Sequence, residues 1–290
     1  MTKKNLSVKD ALFYIKKELK QYYPEREISG LISIIFEYLL NYTKTDIHLN
    51  YDTKISEYTF LKIEDIVRQL KKYNPIQYIT GKTSFFDLEL FVEEGVFIPR
   101  PETEELVSWI LNETPCNSLT ILDVGTGSGC IAIALARNLP KANIHAFDLS
   151  EEAINIAKRN AKHNNVNVSF FKSDIFNPGL PGSVKYDIIV SNPPYILENE
   201  KKMMHKNVLD FEPQEALFVP ETDPLKYYRA IVNQSKTIIR DGGKLYLEIN
   251  EKQGPNICKL LEENSYNFIE TKKDINGKTR MARAYYNKKP

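Results

Sequence analysis

The sequence is poor in the residues that build disulfide frameworks and metal sites. It has 3 cysteines and 4 histidines among 290 residues. Cys116, Cys130 and Cys258 are odd in number, widely spaced and form no C-x-x-C pair, and the histidines show no ligand spacing. This pattern favours reduced thiols and argues against a disulfide framework or a zinc site. We therefore expect the protein to hold no metal.

A long apolar run and an excess of one charge are also missing. No stretch approaches the roughly 18 apolar residues of a membrane-spanning helix, and the first residues lead into a charged, amphipathic pattern. The 39 Lys and Arg residues nearly balance the 38 Asp and Glu residues. Bulk charge therefore gives no support for wrapping nucleic acid or lying on a membrane. We expect a cytoplasmic monomer with no membrane partner and no direct nucleic-acid binding.

The length and apolar content predict more than one domain. At 290 residues with 42% hydrophobic content, the chain exceeds a typical single domain. Its first 72 or so residues have a helical period, with Ser7 and Ser29 as the expected N-caps of the first two helices. We predict a helical bundle for substrate recognition over residues 1–80, a β-hairpin linker with a turn at Gly95 over residues 81–98, and an α/β domain over residues 99–290.

From Leu119 onward the sequence alternates strands and helices, which predicts a mostly parallel sheet covered by helices. The first strand leads into the glycine-rich residues 125–129, which allow a tight turn and close approach of the backbone to a ligand. The next strand ends in Asp148, about twenty residues later, where a carboxylate can accept both ribose hydroxyls. A third strand ends near Asp174 and Ile175, which can bracket an adenine ring. These strand ends predict a site for an adenosine nucleoside.

The fourth predicted strand, residues 186–190, contains the continuous β-branched run Ile188-Ile189-Val190 and leads into Ser191-Asn192-Pro193-Pro194-Tyr195. Taken alone, this sequence also fits a strand-ending turn. However, open α/β sheets bind ligands at the carboxyl ends of their strands. Because the prolines fix φ, the Asn192 amide and the neighbouring carbonyls can grip a planar NH2 group, with Tyr195 as a flat wall.

The C-terminal segments extend the predicted sheet. We expect a helix over residues 223–239, a turn at Gly242-Gly243, and a strand over residues 244–249. A further helix over residues 253–264 and an antiparallel strand pair then follow. Glu248 lies at a strand end, where it either touches the site or anchors a loop.

Four consecutive strand ends with these groups resemble the S-adenosylmethionine-dependent methyltransferases of the Asn-Pro-Pro-Tyr type, which act on planar nitrogens. The helical module, the hairpin, and residues 75–81, 98–106 and 211–217 extend the resemblance over nearly the whole chain. They are similar to the protein-(glutamine-N5) methyltransferases of peptide chain release factors. Residues 99–103, Pro-Arg-Pro-Glu-Thr, favour these enzymes over a relative that modifies a ribosomal protein. Ile175 departs from the tryptophan often found at its position, which leaves the stacking of adenine open.

The resemblance implies a fold and a set of site residues. The implied fold is a Rossmann-like class I methyltransferase with a seven-stranded sheet, preceded by a small all-α domain and a β-hairpin linker. The implied cofactor is S-adenosyl-L-methionine, and the implied protein substrates are class I release factors, methylated on the glutamine of their Gly-Gly-Gln motif. The cofactor residues would be Gly125, Thr126, Gly127, Ser128, Gly129, Asp148, Asp174, Ile175 and Asn192. The catalytic residues would be Asn192, Pro193 and Tyr195, and the substrate would also contact Pro194, Arg100 and Glu102.

Other functions stay open at this point. A nucleic-acid base presents a similar planar NH2 group and could be flipped into the same pocket. A glutamine of a ribosomal protein is another possible target. A glycine-rich loop alone would also suit NAD. The chain could, finally, be a non-catalytic S-adenosylmethionine-binding adaptor that acts through its helical module.

Overall fold

The computed structural model describes residues 6–114, 118–177 and 184–288. Its helices in these ranges are α1 (Val8–Leu19), α2 (Glu25–Leu40), α3 (Lys44–Leu49), α4 (Glu57–Leu70), α5 (Ile76–Thr80), α6 (Pro101–Asn112), α7 (Cys130–Asn138), α8 (Glu151–His163), α9 (Lys206–Leu209), α10 (Lys226–Ile238) and α11 (Gly254–Glu263). Its strands are β1 (Lys82–Phe85), β2 (Leu88–Phe91), β3 (Thr120–Val124), β4 (Asn143–Asp148), β5 (Ser169–Lys172), β6 (Tyr186–Ser191), β7 (Ile196–Leu197), β8 (Phe218–Val219), β9 (Ile239–Glu248), β10 (Tyr266–Lys273) and β11 (Thr279–Tyr286). Within the described ranges, every helix is too short or too polar to cross a membrane.

The cysteines were expected to be reduced thiols. Cys130 and Cys258 are free, with Cys130 buried and Cys258 half-buried. The expectation for Cys116 lies outside the described residues.

The chain divides into two compact units, and the first combines residues 1–81 with Lys206–Phe211. Its core is formed by the apolar faces of α1, α2, α4 and α5, with Ile15, Ile35 and Leu70 almost fully buried. Ser7 caps α1 as predicted, since its hydroxyl accepts from the Asp10 backbone and the Asp10 carboxylate accepts from the Ser7 backbone.

The predicted cap at Ser29 is wrong. The second helix begins at Glu25, directly after Pro24, and Ser29 lies inside it with its hydroxyl donating to the Glu25 carbonyl at 3.0 Å. Pro24 fixes the entry of the chain, and Glu25 and Glu27 complement the positive end of the helix dipole. The helix therefore begins one turn earlier without a side-chain cap, and Ser29 satisfies its hydroxyl within the helix.

The second unit is built on a seven-stranded sheet in the described part of the chain, ordered β10-β11-β9-β6-β3-β4-β5. Strands β9, β6, β3, β4 and β5 run parallel, and β11 and β10 close one edge as an antiparallel pair. This sheet confirms the predicted α/β fold. Its interior strand β3 buries Ile121 on the face covered by α6 and α7, and Leu122 on the face covered by α10 and α11.

The hairpin of β1 and β2 turns at Phe86 and Asp87 and not at Gly95. Both residues have positive φ, 49° and 59°, as a two-residue hairpin turn demands. A phenylalanine rarely adopts this conformation, which is why its sequence gives no turn signal. Gly95 instead lies in a turn after the hairpin.

Gly242 and Gly243 lie inside strand β9 and do not form the predicted turn before it. The register of β9 against β6 shifts there, from Tyr186 opposite Ile239 to Ile188 opposite Lys244, so β9 accommodates extra residues as an irregularity. A Cβ atom on Gly243 would lie 2.6 Å from the Ile239 side chain. Position 243 therefore requires glycine, because a side chain there would clash with Ile239.

Candidate active site

The register of the parallel strands brings three of the predicted site segments together. Val124 at the end of β3 pairs with Ser191 of β6 on one side and with Phe147 of β4 on the other. The buried Ser191 hydroxyl donates to the Val124 carbonyl at 2.8 Å. Consequently the glycine loop, Asp148 and Asn192 leave the sheet at the same edge, side by side, which is the ligand-binding edge of an open α/β sheet.

The glycine loop is held by the end of β4. The backbone N–H groups of Gly125 and Thr126 both donate to the Phe147 carbonyl at 2.9 Å. Gly125, Gly127 and Gly129 all have positive φ, between 54° and 83°. A Cβ on Gly125 or Gly127 would meet no atom within 4 Å, whereas one on Gly129 would lie 2.9 Å from Ile133. The first two glycines thus leave open space above the backbone, and the third packs against the helices.

Asp148 is fixed by backbone donors on both carboxylate oxygens. Gly127 N–H donates to Oδ2 at 2.8 Å, and Ser150 N–H donates to Oδ1 at 3.0 Å. Burial raises the pKa of Asp148, and these backbone donors oppose the rise. A carboxylate has about four acceptor sites, so Asp148 can still accept from a ligand.

Two buried side chains support the loop from beneath. Asp123 has no exposed surface, and its Oδ2 accepts from the Thr126 hydroxyl at 2.6 Å. Burial raises the pKa of Asp123 to about 7. Asn160 of α8 donates to the Ser128 carbonyl at 2.9 Å and exchanges two hydrogen bonds with the backbone of Phe91. Asn160 therefore ties the hairpin to the glycine loop, a role that no local pattern of α8 indicates.

Asp174 and Ile175 follow strand β5 as predicted. The Ser173 N–H donates to the Asp148 carbonyl at 3.0 Å, which holds this segment beside the end of β4. The Asp174 carboxylate accepts from the Phe176 N–H at 2.9 Å, and the half-buried Ile175 packs against the core beneath α10. The segment offers one carboxylate and one apolar wall, the pair that the adenine prediction requires.

Asn192 and Tyr195 are connected through two buried residues, Thr103 and Glu248. The sequence indicated Glu248 as a candidate but gave no role to Thr103. The Asn192 amide N–H donates to the Thr103 hydroxyl at 3.1 Å, and that hydroxyl donates to Glu248 Oε2 at 2.7 Å. The Tyr195 hydroxyl donates to the other oxygen of Glu248 at 2.9 Å. Asn250 also holds this segment, by donating to the Tyr195 carbonyl at 3.1 Å. Glu248, which the sequence placed either at the site or in a loop anchor, contacts the predicted site residue Tyr195 directly.

The structure gives Arg100 and Glu102 different surroundings. The Arg100 guanidinium donates to the buried Glu212 carboxylate at 2.5 Å, and the other Glu212 oxygen accepts from the Ile98 N–H at 3.4 Å. Burial raises the pKa of Glu212, and Arg100 opposes the rise. Glu102 is half-buried on the first turn of α6. Arg100 thus helps to hold the loop before α6, through a partner 112 residues away that its own sequence motif does not reveal.

Comparison with known proteins decides the family. A model described as a methyltransferase small domain matches residues 93–212, and a model described as the PrmC N-terminal domain matches residues 10–81. The release factor glutamine methyltransferase of Bacteroides thetaiotaomicron is 44% identical over 93% of this chain and 97% of its own. That of Flavobacterium psychrophilum is 44% identical over 92% of this chain and 95% of its own. The chain belongs to the release factor glutamine methyltransferase family. The resemblance inferred from the sequence is confirmed.

Solved structures agree with the methyltransferase fold of this family member. The 16S rRNA N2 G1207 methyltransferase of Thermus thermophilus, crystallised with AdoMet and guanosine, matches with a TM-score of 0.52 and 21% identity over 71% of this chain and 50% of its own. A methyltransferase of Pyrococcus furiosus matches with a TM-score of 0.52 and 17% identity over 70% of this chain and 91% of its own. At these identities the likeness concerns the fold alone.

Proposed function

We propose that this S-adenosylmethionine-dependent methyltransferase methylates the side-chain amide N5 of a glutamine in class I release factors. The observation that carries the proposal is the shared strand edge, where the register places Asn192 beside the glycine loop and Asp148. The relatives named release factor glutamine methyltransferase cover nearly the whole chain at up to 44% identity. The specific target, the glutamine of the Gly-Gly-Gln motif, is what the resemblance to these enzymes implies, and the site described next suits a glutamine amide.

The residues present fit S-adenosylmethionine, which supplies an electrophilic methyl group when it is bound. Gly125 and Gly127 have open space where a Cβ would stand, so their backbone admits a close ligand. The fixed Asp148 carboxylate suits two ribose hydroxyls, and Asp174 and Ile175 suit the amino group and the face of adenine. Thr126, Ser128 and Gly129 shape the loop, and Asn192 borders it.

The glutamine side chain suits the acceptors of residues 192–195. An amide nitrogen is a poor nucleophile because its lone pair is delocalised into the carbonyl. The Asn192 side-chain oxygen and the Pro193 carbonyl can accept from the two N–H bonds of the substrate and stabilise the positive charge that develops on its nitrogen. Tyr195 and Pro194 provide flat surfaces for the planar amide. The excess proton can leave to solvent.

The glycines of a Gly-Gly-Gln loop would let its backbone enter a narrow pocket. We assign Arg100 the role of holding the loop before α6 through Glu212. Glu102 would lie at the rim of the substrate pocket. The helical domain over residues 1–80 would select the protein substrate, the hairpin over residues 81–98 would link it to the methyltransferase domain over residues 99–290, and the enzyme would act as a monomer without direct binding of nucleic acid.

Methyl transfer from labelled S-adenosylmethionine tests the proposal. The enzyme is incubated separately with release factor, ribosomal protein and nucleic acid, and modified sites are located by mass spectrometry. We expect a single methyl group on the Gly-Gly-Gln glutamine of the factor. Labelling of nucleic acid or of a ribosomal protein instead would contradict the proposal and select the corresponding alternative, and labelling of neither would favour an adaptor.

A further inference from the structure

A continuous chain of hydrogen bonds lies behind Asn192 and Tyr195. Thr103 on the first turn of α6 and Glu248 at the end of β9 are each only 1% exposed. Glu248 accepts from Thr103 at 2.7 Å and from Tyr195 at 2.9 Å, and Thr103 accepts from Asn192 at 3.1 Å. Two site residues from one loop are thus joined through a buried carboxylate on another strand.

The chemistry of these groups fixes the direction of every bond. An ionised carboxylate can only accept, so the single protons of the Thr103 and Tyr195 hydroxyls are both committed to Glu248. The Thr103 oxygen then has only lone pairs left for Asn192, which must present its NH2 group to it. A flipped Asn192 amide would set its oxygen against an oxygen without a free proton. The amide oxygen of Asn192 therefore faces away from Thr103.

We propose that Glu248 and Thr103 are positioning residues that orient the Asn192 amide and the Tyr195 ring for a substrate that offers a primary amide NH2. The inference rests on the proposed function, because the orientation of Asn192 explains how the site accepts N–H bonds from a primary amide. With the Asn192 NH2 group held by Thr103, the Asn192 oxygen is left to accept from the substrate. Such preorganisation matters because small misplacements of a contact group have large effects on rate.

The charge state of Glu248 controls this arrangement. Burial raises the pKa of the Glu248 carboxyl, opposed by its hydrogen bonds and by Arg280, whose guanidinium also lies 5.6 Å from the centre of the Tyr195 ring. A protonated Glu248 would have a proton of its own to donate and would release one hydroxyl from its fixed direction. The titratable groups that act on Glu248 from the surrounding elements are Glu102 of α6, Cys130 of α7, Tyr195, Tyr228 of α10 and Arg280 of β11.

Thr103 variants separate positioning from packing. Thr103→Val keeps the shape but removes the hydroxyl, and Thr103→Ser keeps the hydroxyl. With intact release factor as substrate, we expect Thr103→Val to lower kcat roughly tenfold to a hundredfold, the scale of a small misplacement. The dissociation constant for S-adenosylmethionine, measured by calorimetry, should stay within about twofold, and Thr103→Ser should recover most of the rate. Equal kcat values for the Val and Ser variants would overturn the proposal.

Glu248→Gln provides the second test and does not depend on the fate of the Thr103 variants. Because Glu248 must be ionised, kcat of the wild type should fall as pH drops through its raised pKa, and the variant, which does not titrate, should have a lower plateau without that fall. A matched control is Glu113→Gln, at the other end of α6, whose carboxylate accepts from the Tyr246 hydroxyl of the same strand β9 at 2.9 Å. The control should leave the pH profile of kcat unchanged. An acid limb that persists in Glu248→Gln would refute the role of Glu248.

The failure of the proposed function would look different. In that case the wild-type enzyme would leave the release factor unmodified and methylate another NH2 compound. The ratio of Thr103→Ser to Thr103→Val rates on that compound would then still measure positioning. A ratio near one would reject the positioning role, and a ratio of about ten or more would support it for the other substrate.

Discussion

Asp123 shows how burial of a single carboxylate couples the stability of the protein to pH. Burial raises its pKa from 3.8 to about 7. A raised pKa means that the folded state favours the protonated form, so the associated stability is present below about pH 4 and lost as pH rises to about 7. Because one pKa unit is worth about 1.36 kcal/mol, the loss between pH 5 and pH 8 is roughly 3 kcal/mol.

We therefore expect Asp123→Asn, which stays neutral, to be less sensitive to pH than the wild type. Urea unfolding without S-adenosylmethionine at pH 5 and pH 8 measures the free energy of unfolding of both proteins. The difference between the two pH values should be smaller in the variant by roughly 2 to 3 kcal/mol. Identical pH dependence in the two proteins would show that Asp123 does not titrate in this range.

Asp148 should govern cofactor affinity. Asp148→Ala removes the acceptor proposed for two ribose hydroxyls, each contributing on the order of 1.5 to 3 kcal/mol as a hydrogen bond to a charged group. Calorimetry with S-adenosylmethionine should show clearly weaker binding. Since Asp148 also holds the Gly127 and Ser150 backbone, thermal unfolding must be measured alongside. Unchanged affinity in a folded variant would rule out the ribose assignment.

Asn192 should govern turnover and not cofactor affinity. Asn192→Ala removes one preorganised acceptor, which should lower kcat roughly a hundred- to a thousandfold. Affinity for S-adenosylmethionine should stay nearly intact. Asn164→Ala is a suitable control, because Asn164 lies at the end of α8 and donates to the Glu89 carbonyl, away from the strand edge. Near-normal turnover of Asn192→Ala would move the chemistry to other residues.

At the scale of elements, the loop needs glycine for two different reasons: open space for a ligand at Gly127 and close packing against helices at Gly129. Substitutions can separate the two. Gly127→Ala would place a methyl group in the open space above the loop, so we expect weaker S-adenosylmethionine binding, by about tenfold or more. Gly129→Ala would instead press against Ile133 and Ala157 and should destabilise the fold by roughly 1 to 3 kcal/mol.

Gly95→Ala controls for the backbone strain that both loop variants share. Its φ is +91° and a Cβ there would meet no atom within 4 Å. This variant should lose some stability and bind the cofactor normally when measured by urea unfolding and calorimetry. If Gly127→Ala and Gly95→Ala bind S-adenosylmethionine equally well, the open space above the loop is not part of the cofactor site.

The sequence predicted the elements whose local signals agree with one another. The β-branched run 188–190 in the fourth strand and the Ser7 cap of the first helix both matched the structure. The mistakes arose where local signals were overridden: Pro24 started a helix ahead of Ser29, and Phe86 adopted a φ that its side chain disfavours. Gly242 and Gly243 signalled a turn but lie inside a strand, where Gly242 adopts a φ of +74° and Gly243 leaves space for Ile239.

The sequence predicted only those parts of the candidate site that lie at the ends of predicted strands. The residues that follow β3, β4 and β6 could be placed together because parallel strands share an edge. The connections behind them could not, because they join residues far apart in sequence. Thr103 and Glu248 are 145 positions apart, and Arg100 and Glu212 are 112 apart. No local pattern specifies such pairs.

At the scale of the whole molecule, the helical unit draws on two separate parts of the chain. Besides residues 1–81 it includes Lys206–Phe211, a segment flanked on both sides by residues of the methyltransferase unit. Within the helical unit, the Lys206 ammonium lies 5.3 Å from the centre of the Tyr73 ring. The chain therefore passes between the units three times, and Glu212, which holds Arg100, directly follows one of these passages.

This organisation leads to a prediction about substrate size. If the helical unit contributes remote binding energy, a short Gly-Gly-Gln peptide should react with a kcat/KM at least about a hundredfold below that of intact release factor. Methylation of both is followed by mass spectrometry under identical conditions, with a Gly-Gly-Asn peptide as the control that lacks the reactive amide position. A peptide that reacts as well as the intact factor would show that the site at the carboxyl ends of the strands selects the substrate alone. The helical unit would then serve another purpose.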